Sequence, residues 1–203
     1  MPLEYVFDYP SPYAYLASTQ LPRLGVEIAY TPVAVLDVMK AVNNQPSLAC
    51  PAKLRYAVLD AQRWAKLYGV PLRLNRPYLD AIGSPDFDHR ALARGALVAQ
   101  ESGVFAAYHD AVFSALWAEP EDLMSENGRR AVLRARGIGD PDFWRRAADG
   151  EIRRRLEANN RRAVERGVFG IPTFFVGDEI FFGNDRLALA TARLAAALLE
   201  AAG

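Results

Sequence analysis

The chain has 203 residues, 51% of them hydrophobic, which suits one domain, or one domain carrying a large insertion. Lys plus Arg (24) balance Asp plus Glu (24), so the chain has no general pull toward nucleic acid or anionic lipid. A single cysteine, Cys50, excludes an internal disulfide, CxxC redox chemistry and multi-Cys zinc sites. In chain order, "LEYVF" (3–7) alternates and is aromatic-rich, which predicts a strand. "DYPSPYAYLA" follows. Pro12 suits a first helical turn, where its missing N–H costs nothing, and Tyr13, Leu16, Ala17, Gln20, Leu21 and Leu24 keep helical spacing up to Gly25. "VEIAYTPV" (26–33) alternates again. Two strands joined by a crossover helix predict a right-handed βαβ unit with a parallel pair.

The middle reads as helical. Leu54, Val58, Ala61, Ala65 and Tyr68 form a stripe that Gly69 and Pro71 end. The next helix is expected from Ser84 and Pro85, and "VFAAYHDAVFSALWA" is a long apolar one. "SENGRRAVLRARG" and "DPDFWRRAADGEIRRRLEANNRRAVERG" each open on a capping residue and close near a glycine. The arginine run from Ile152 to Gly167 is interleaved with Glu157 and Glu165, just after Glu151, at helical spacings. It predicts a solvated face with internal ion pairs. The two histidines, His89 and His109, lie in these helical stretches and are too few for a metal cluster. "PTFFVGDEIFFG" signals a hairpin, and "DRLALATARLAAALLEAA" a final helix with Leu187, Thr191, Leu194 and Leu198 on one stripe. No run reaches the roughly 18–20 apolar residues of a membrane span, and no leader pattern opens the chain. A soluble, cytoplasmic protein is expected.

The order βαβ, helices, ββα predicts an α/β, thioredoxin-like fold with a large all-helical insertion. Residues 1–38 and 166–203 would form the thioredoxin-like domain and residues 39–165 the inserted helical domain. Three segments carry a resemblance across almost the whole chain: "FDYPSPYAYLA", "DAQRWAKLYGVPL" (60–72) and "VFGIPTFFVGDEIFFGNDRL" (168–187). Together they resemble the 2-hydroxychromene-2-carboxylate isomerases, which stand with the kappa-class glutathione transferases.

That resemblance implies glutathione as cofactor. Ser11 would be the catalytic residue, its hydroxyl donating to the glutathione thiolate beside the free N–H groups of a helix start. Taken alone, Ser11 reads as an ordinary N-cap. A cis bond at Ile171–Pro172 would turn the Ile171 backbone toward the cysteinyl unit. Phe182, Gly183, Asn184 and Asp185 would hold the γ-glutamyl end, with Asp185 also capping the last helix. On the organic substrate, Lys40 would meet a carboxylate and Tyr78 a carbonyl or phenol oxygen. The family carries an Asn-Arg pair in the loop after that lysine. Here Ser47 and Leu48 fall nearest, and neither replaces an arginine. The implied activity interconverts 2-hydroxychromene-2-carboxylate and trans-o-hydroxybenzylidenepyruvate, a step of naphthalene-type catabolism. A kappa-like transferase and a non-enzymatic glutathione-binding protein are the alternatives. Expected partners are glutathione, a small aromatic carboxylate and a second copy of the chain in a homodimer. No metal, nucleic acid or membrane is expected.

Overall fold

The first strand, β1 (Leu3–Phe7), is buried along nearly its whole length and lies inside the sheet. A computed structural model describes residues 1–202, apart from the side chains of Leu48 and Ala202. β2 (Ile28–Pro32) runs parallel to β1, Tyr5 opposite Tyr30. β3 (Thr173–Val176) pairs antiparallel on the other side, Val6 opposite Thr173, and β4 (Glu179–Phe182) closes a hairpin on β3. The order is β2-β1-β3-β4. Stacking of Tyr5 on Phe7 and on Phe174, with ring centroids 5.1 and 5.4 Å apart, explains why so aromatic a strand sits at the centre.

Between β1 and β2 comes α1 (Pro12–Ser18), shorter than its sequence pattern. The chain tightens into a 3-10 turn at Leu21–Arg23, where Pro22 cannot continue an α-helix. Between β2 and β3 come α2 (Val35–Ala41), α3 (Pro51–Tyr68), α4 (Arg76–Ala81), α5 (Ala91–Glu101), α6 (Phe105–Trp117), α7 (Glu126–Ala135), α8 (Phe143–Ala147) and α9 (Gly150–Glu165). The final helix, α10 (Leu187–Ala202), packs on β3.

Several expectations need correction. On α3 only Ala61 and Ala65 of the stripe are buried, where α1 approaches, and Leu54 is exposed. Periodicity gives a stripe its direction but no partner for its far end. α5 starts at Ala91, not Ser84. Asp88 accepts the Arg90 amide and the Arg94 guanidinium, and so holds the preceding segment in turns. His89 lies in that turn segment rather than in a helix. The long arginine-rich stretch breaks in two because Asp149 caps α9 by accepting the Glu151 amide. Among the described residues no ion pair joins two members of α9. Arg155 reaches Glu101 on α5, and Arg166, just past the helix, reaches Glu4 on β1. On α10, Leu187 and Leu194 are buried with Ala190, while Leu198 is exposed.

Candidate functional site

β1 ends at Phe7 where β3 begins, because Val6 faces Thr173 in an antiparallel pair. The loop leaving β1 and the loop entering β3 therefore meet at one end of the sheet. Phe182, opposite Thr173, brings the end of β4 there too, and the Gly183 amide donates to the Pro172 carbonyl at 2.9 Å. The 3-10 turn Asn184–Arg186 then contacts α1. Topology thus gathers Ser11, Ile171–Pro172 and Phe182–Asp185 from both ends of the chain.

Ser11 is the N-cap of α1. Its Oγ accepts the Ala14 amide at 3.2 Å, and the residue is 9% exposed. Capping uses the oxygen as acceptor and leaves the hydroxyl proton to donate. The Tyr13 amide, in the first turn, also has no partner among the described residues. The Tyr9 peptide holds the turn from both sides. Its N–H donates to Asp8, and its carbonyl accepts the Ser11 amide and the Trp117 indole N–H, each at 2.8 Å.

The Ile171–Pro172 peptide is cis, and among the described residues the Ile171 N–H and carbonyl make no backbone hydrogen bond. Gly170 lies so close to the Phe182 ring that a Cβ there would stand 2.9 Å from it. Phe182 packs at a tilt against Phe169, with ring centroids 4.5 Å apart, and remains 41% exposed. Asn184 is buried, and its amide nitrogen has no partner among the described residues, with the Tyr68 phenol beside it. Burial first, and then the Asp185 charge, raise the Tyr68 phenol above its usual range, with Asn184 pulling the other way. Asp185 lies inside the 3-10 turn rather than at the cap of α10. Its carboxylate pairs with Arg186 at 2.9 Å and folds back over Gly183, whose φ of 105° suits glycine. Tyr13 donates to Asp60 of α3 at 3.0 Å and so closes this side of the site. Burial and that carboxylate keep its phenol protonated.

The proposed substrate residues are less well gathered. Lys40 is exposed in the last turn of α2, and Ser47 is exposed in a 3-10 turn, Ser47–Ala49. The Leu48 side chain lies outside the described residues. That loop is nevertheless tied to the site, because Asn44 donates to the Phe169 carbonyl at 2.8 Å. Tyr78 is 1% exposed, packs edge-on against Phe87 at 5.0 Å, and its hydroxyl has no partner among the described residues. It does not reach open surface, because α4 packs its Tyr78 face inward. Sequence reasoning missed Asp8, Trp117 and the Tyr13–Asp60 pair. A charged residue after a strand reads as loop, and none of these contacts has a local spacing signal.

The features of DsbA-like thioredoxin domains match residues 3–195. The chain is 32% identical to a 2-hydroxychromene-2-carboxylate isomerase of Pseudomonas putida, over 92% of this chain and 91% of that one. It is 27% identical to glutathione S-transferase kappa 1 of Caenorhabditis elegans, over 92% and 88%. A solved 2-hydroxychromene-2-carboxylate isomerase superposes with a TM-score of 0.84 at 30% identity, covering 100% of this chain and 98% of the other. The chain belongs to the 2-hydroxychromene-2-carboxylate isomerase family, within the DsbA-like thioredoxin domains.

Proposed function

We propose that this protein is a glutathione-dependent isomerase interconverting 2-hydroxychromene-2-carboxylate and trans-o-hydroxybenzylidenepyruvate. The observation that carries the reading is the set of free polar groups at one end of the sheet: the Ser11 hydroxyl proton, the Ile171 backbone groups and the buried Asn184 amide. Their chemistry fits a bound thiol tripeptide, and the relatives' names supply the reaction. When bound, glutathione would supply a thiolate able to add reversibly to a conjugated carbon–carbon double bond, which is the chemistry that a cis–trans isomerisation needs.

The chain's own residues prepare that step. Ser11 and the Tyr13 amide donate toward the sulfur and lower the thiol's pKa. Ile171 would pair with the cysteinyl backbone, and Phe182 would line the tripeptide. The Asn184 amide donates to the γ-glutamyl carboxylate, and Asp185 accepts from its ammonium. Lys40 meets the substrate carboxylate, so that residues 39–165 face the organic substrate while residues 1–38 and 166–203 hold glutathione. The setting is cytoplasmic and the assembly a homodimer, for which the edge strand β4, with Ile180 exposed, is an available surface. No helix among the described residues is long and apolar enough to cross a membrane.

The test follows chromene absorbance with and without glutathione. Conversion that requires the tripeptide is expected, and equal rates in both would overturn the reading. The burial of Tyr78 favours a second reading, a kappa-like transferase, because it removes one proposed contact to a substrate oxygen. A stable thioether detected by mass spectrometry would select it.

A further inference from the structure

Asp8 has no part in the reaction proposed above, yet it stands three residues before Ser11, directly after β1. Its side chain is 1% exposed, and among the described residues it makes no ion pair. Instead its two oxygens each accept one backbone amide at 2.8 Å: Oδ1 from Tyr9 and Oδ2 from Val35. The Tyr9 amide opens the turn that delivers Ser11. Val35 is the first residue of α2, whose own N-cap, Ala34, has no side-chain acceptor. Asp8 therefore caps α2 from 27 residues away, and the last turn of α2 carries Lys40. One carboxylate joins the turn of the thiol site to the helix of the substrate site.

The link depends on charge. An ionised carboxylate accepts at both oxygens, whereas a protonated one keeps one good acceptor and becomes a donor at the other. Protonation leaves a buried amide poorly paired. Burial pushes the Asp8 carboxyl up to about 7, against the pull of the Val35 and Tyr9 amides and of His89, with Asp37 adding a smaller push upward. The titratable groups facing it are His89 ahead of α5, Asp37 on α2, Tyr9 in its own turn, Tyr78 on α4 and Tyr108 on α6.

We propose that Asp8 is a positioning residue, a splint that in its ionised form holds the Ser11 turn and the start of the Lys40 helix together for glutathione binding and releases them on protonation. The inference rests on the glutathione reading. An acid that merely fills the turn would titrate without moving ligand affinity, and that difference is measurable.

Two experiments decide it. In ¹H–¹⁵N NMR spectra of the unmodified protein, the Tyr9 and Val35 amides are expected to shift together, with one midpoint near pH 7. Calorimetry with S-methylglutathione removes the ligand's own thiol from the titration. Its affinity should rise several-fold between about pH 6 and about pH 8, stay flat at the weaker value in Asp8→Asn, and keep its step in His89→Gln. Amides that do not titrate together would overturn the splint, as would a step that survives Asp8→Asn or vanishes in His89→Gln. Should Asp8→Asn fail to fold, the amide titration and the His89→Gln calorimetry still decide. Binding without a step sinks this proposal alone, whereas no binding of either tripeptide at any pH sinks the glutathione reading and this inference with it.

Discussion

The Ser11 oxygen accepts the Ala14 amide and keeps its proton to give, so one side chain both starts a helix and offers a donor. Ser11→Ala should lose about 1 kcal/mol of stability from the cap. It should also raise the pKa of bound glutathione's thiol by about one unit, since a hydrogen bond to a charged group contributes roughly 1.5–3 kcal/mol. Thiolate absorbance titrated in the complex measures this, and an unmoved pKa would remove Ser11 from its role. Asp8 and His109 form a second pair of effects, opposite in sign. His109 is buried, its Nε2 paired with the Ser18 hydroxyl at 3.0 Å, and burial lowers its pKa to about 3. Between about pH 3 and its ordinary value of 6.5 the unfolded chain holds a proton there that the folded chain lacks, so stability grows as pH rises. Asp8, raised from 3.8 to about 7, holds a proton in the folded chain that the unfolded chain has lost, so its contribution falls as pH rises through that range. Each slope is about 1.4 kcal/mol per pH unit, and they oppose one another from about pH 4 to about pH 6.5. Urea titrations across that window should therefore show a flat contribution from the pair in the unmodified protein. Asp8→Asn should uncover a rise with pH and His109→Phe a fall. Identical slopes in all three proteins would contradict this assignment of protons.

Helix contacts here rely on small residues where elements approach closely. Ala61 and Ala65 let α3 lie against α1, and Gly95 does the same for α5 against α6 and α8. A Cβ on Gly95 would stand 2.7 Å from Tyr108 Cζ and 3.1 Å from Trp144 Cζ3. Tyr108 cannot easily give way, because its hydroxyl donates to the Leu92 carbonyl at 2.8 Å and its ring stacks on Phe143 at 5.4 Å. Gly95→Ala gains helix propensity of about 1 kcal/mol, but overpacking costs about 1–3 kcal/mol, so a net loss is expected. Adding Tyr108→Phe, which shortens the obstructing side chain, should recover part of the melting temperature. A Gly95→Ala protein more stable than its parent would show that α5 can shift without cost.

The site is assembled from segments far apart in the chain, and a few hydrogen bonds hold those segments together. Trp117, at the end of α6, donates to the Tyr9 carbonyl 108 residues away. Trp117→Phe keeps most of the ring and loses that bond, for about 1 kcal/mol of stability and a measurable fall in glutathione affinity by calorimetry. Unchanged affinity would mean that the Ser11 turn holds its shape without α6. The strands, the parallel β1–β2 pair, the β3–β4 hairpin and most helices were legible from periodicity, caps and turn residues. Those signals are local, and the backbone answers them locally. The segments that carry Ser11, Ile171–Pro172 and Phe182–Asp185 were legible because each is a short run resembling a known family, and the topology brings those runs to one end of the sheet. Helix ends that long-range polar partners decide were not legible, as the late start of α5 shows. The inward turn of Tyr78 was not legible either, nor was the burial of Asp8 between its own turn and the start of α2. Sequence alone settled most element types, because period, capping and turn chemistry act within a few residues, and the segments of the site came from the family resemblance. Only the folded chain decided which polar groups are buried, paired or left free to donate, because those depend on neighbours 27 to 125 residues away brought within hydrogen-bond reach.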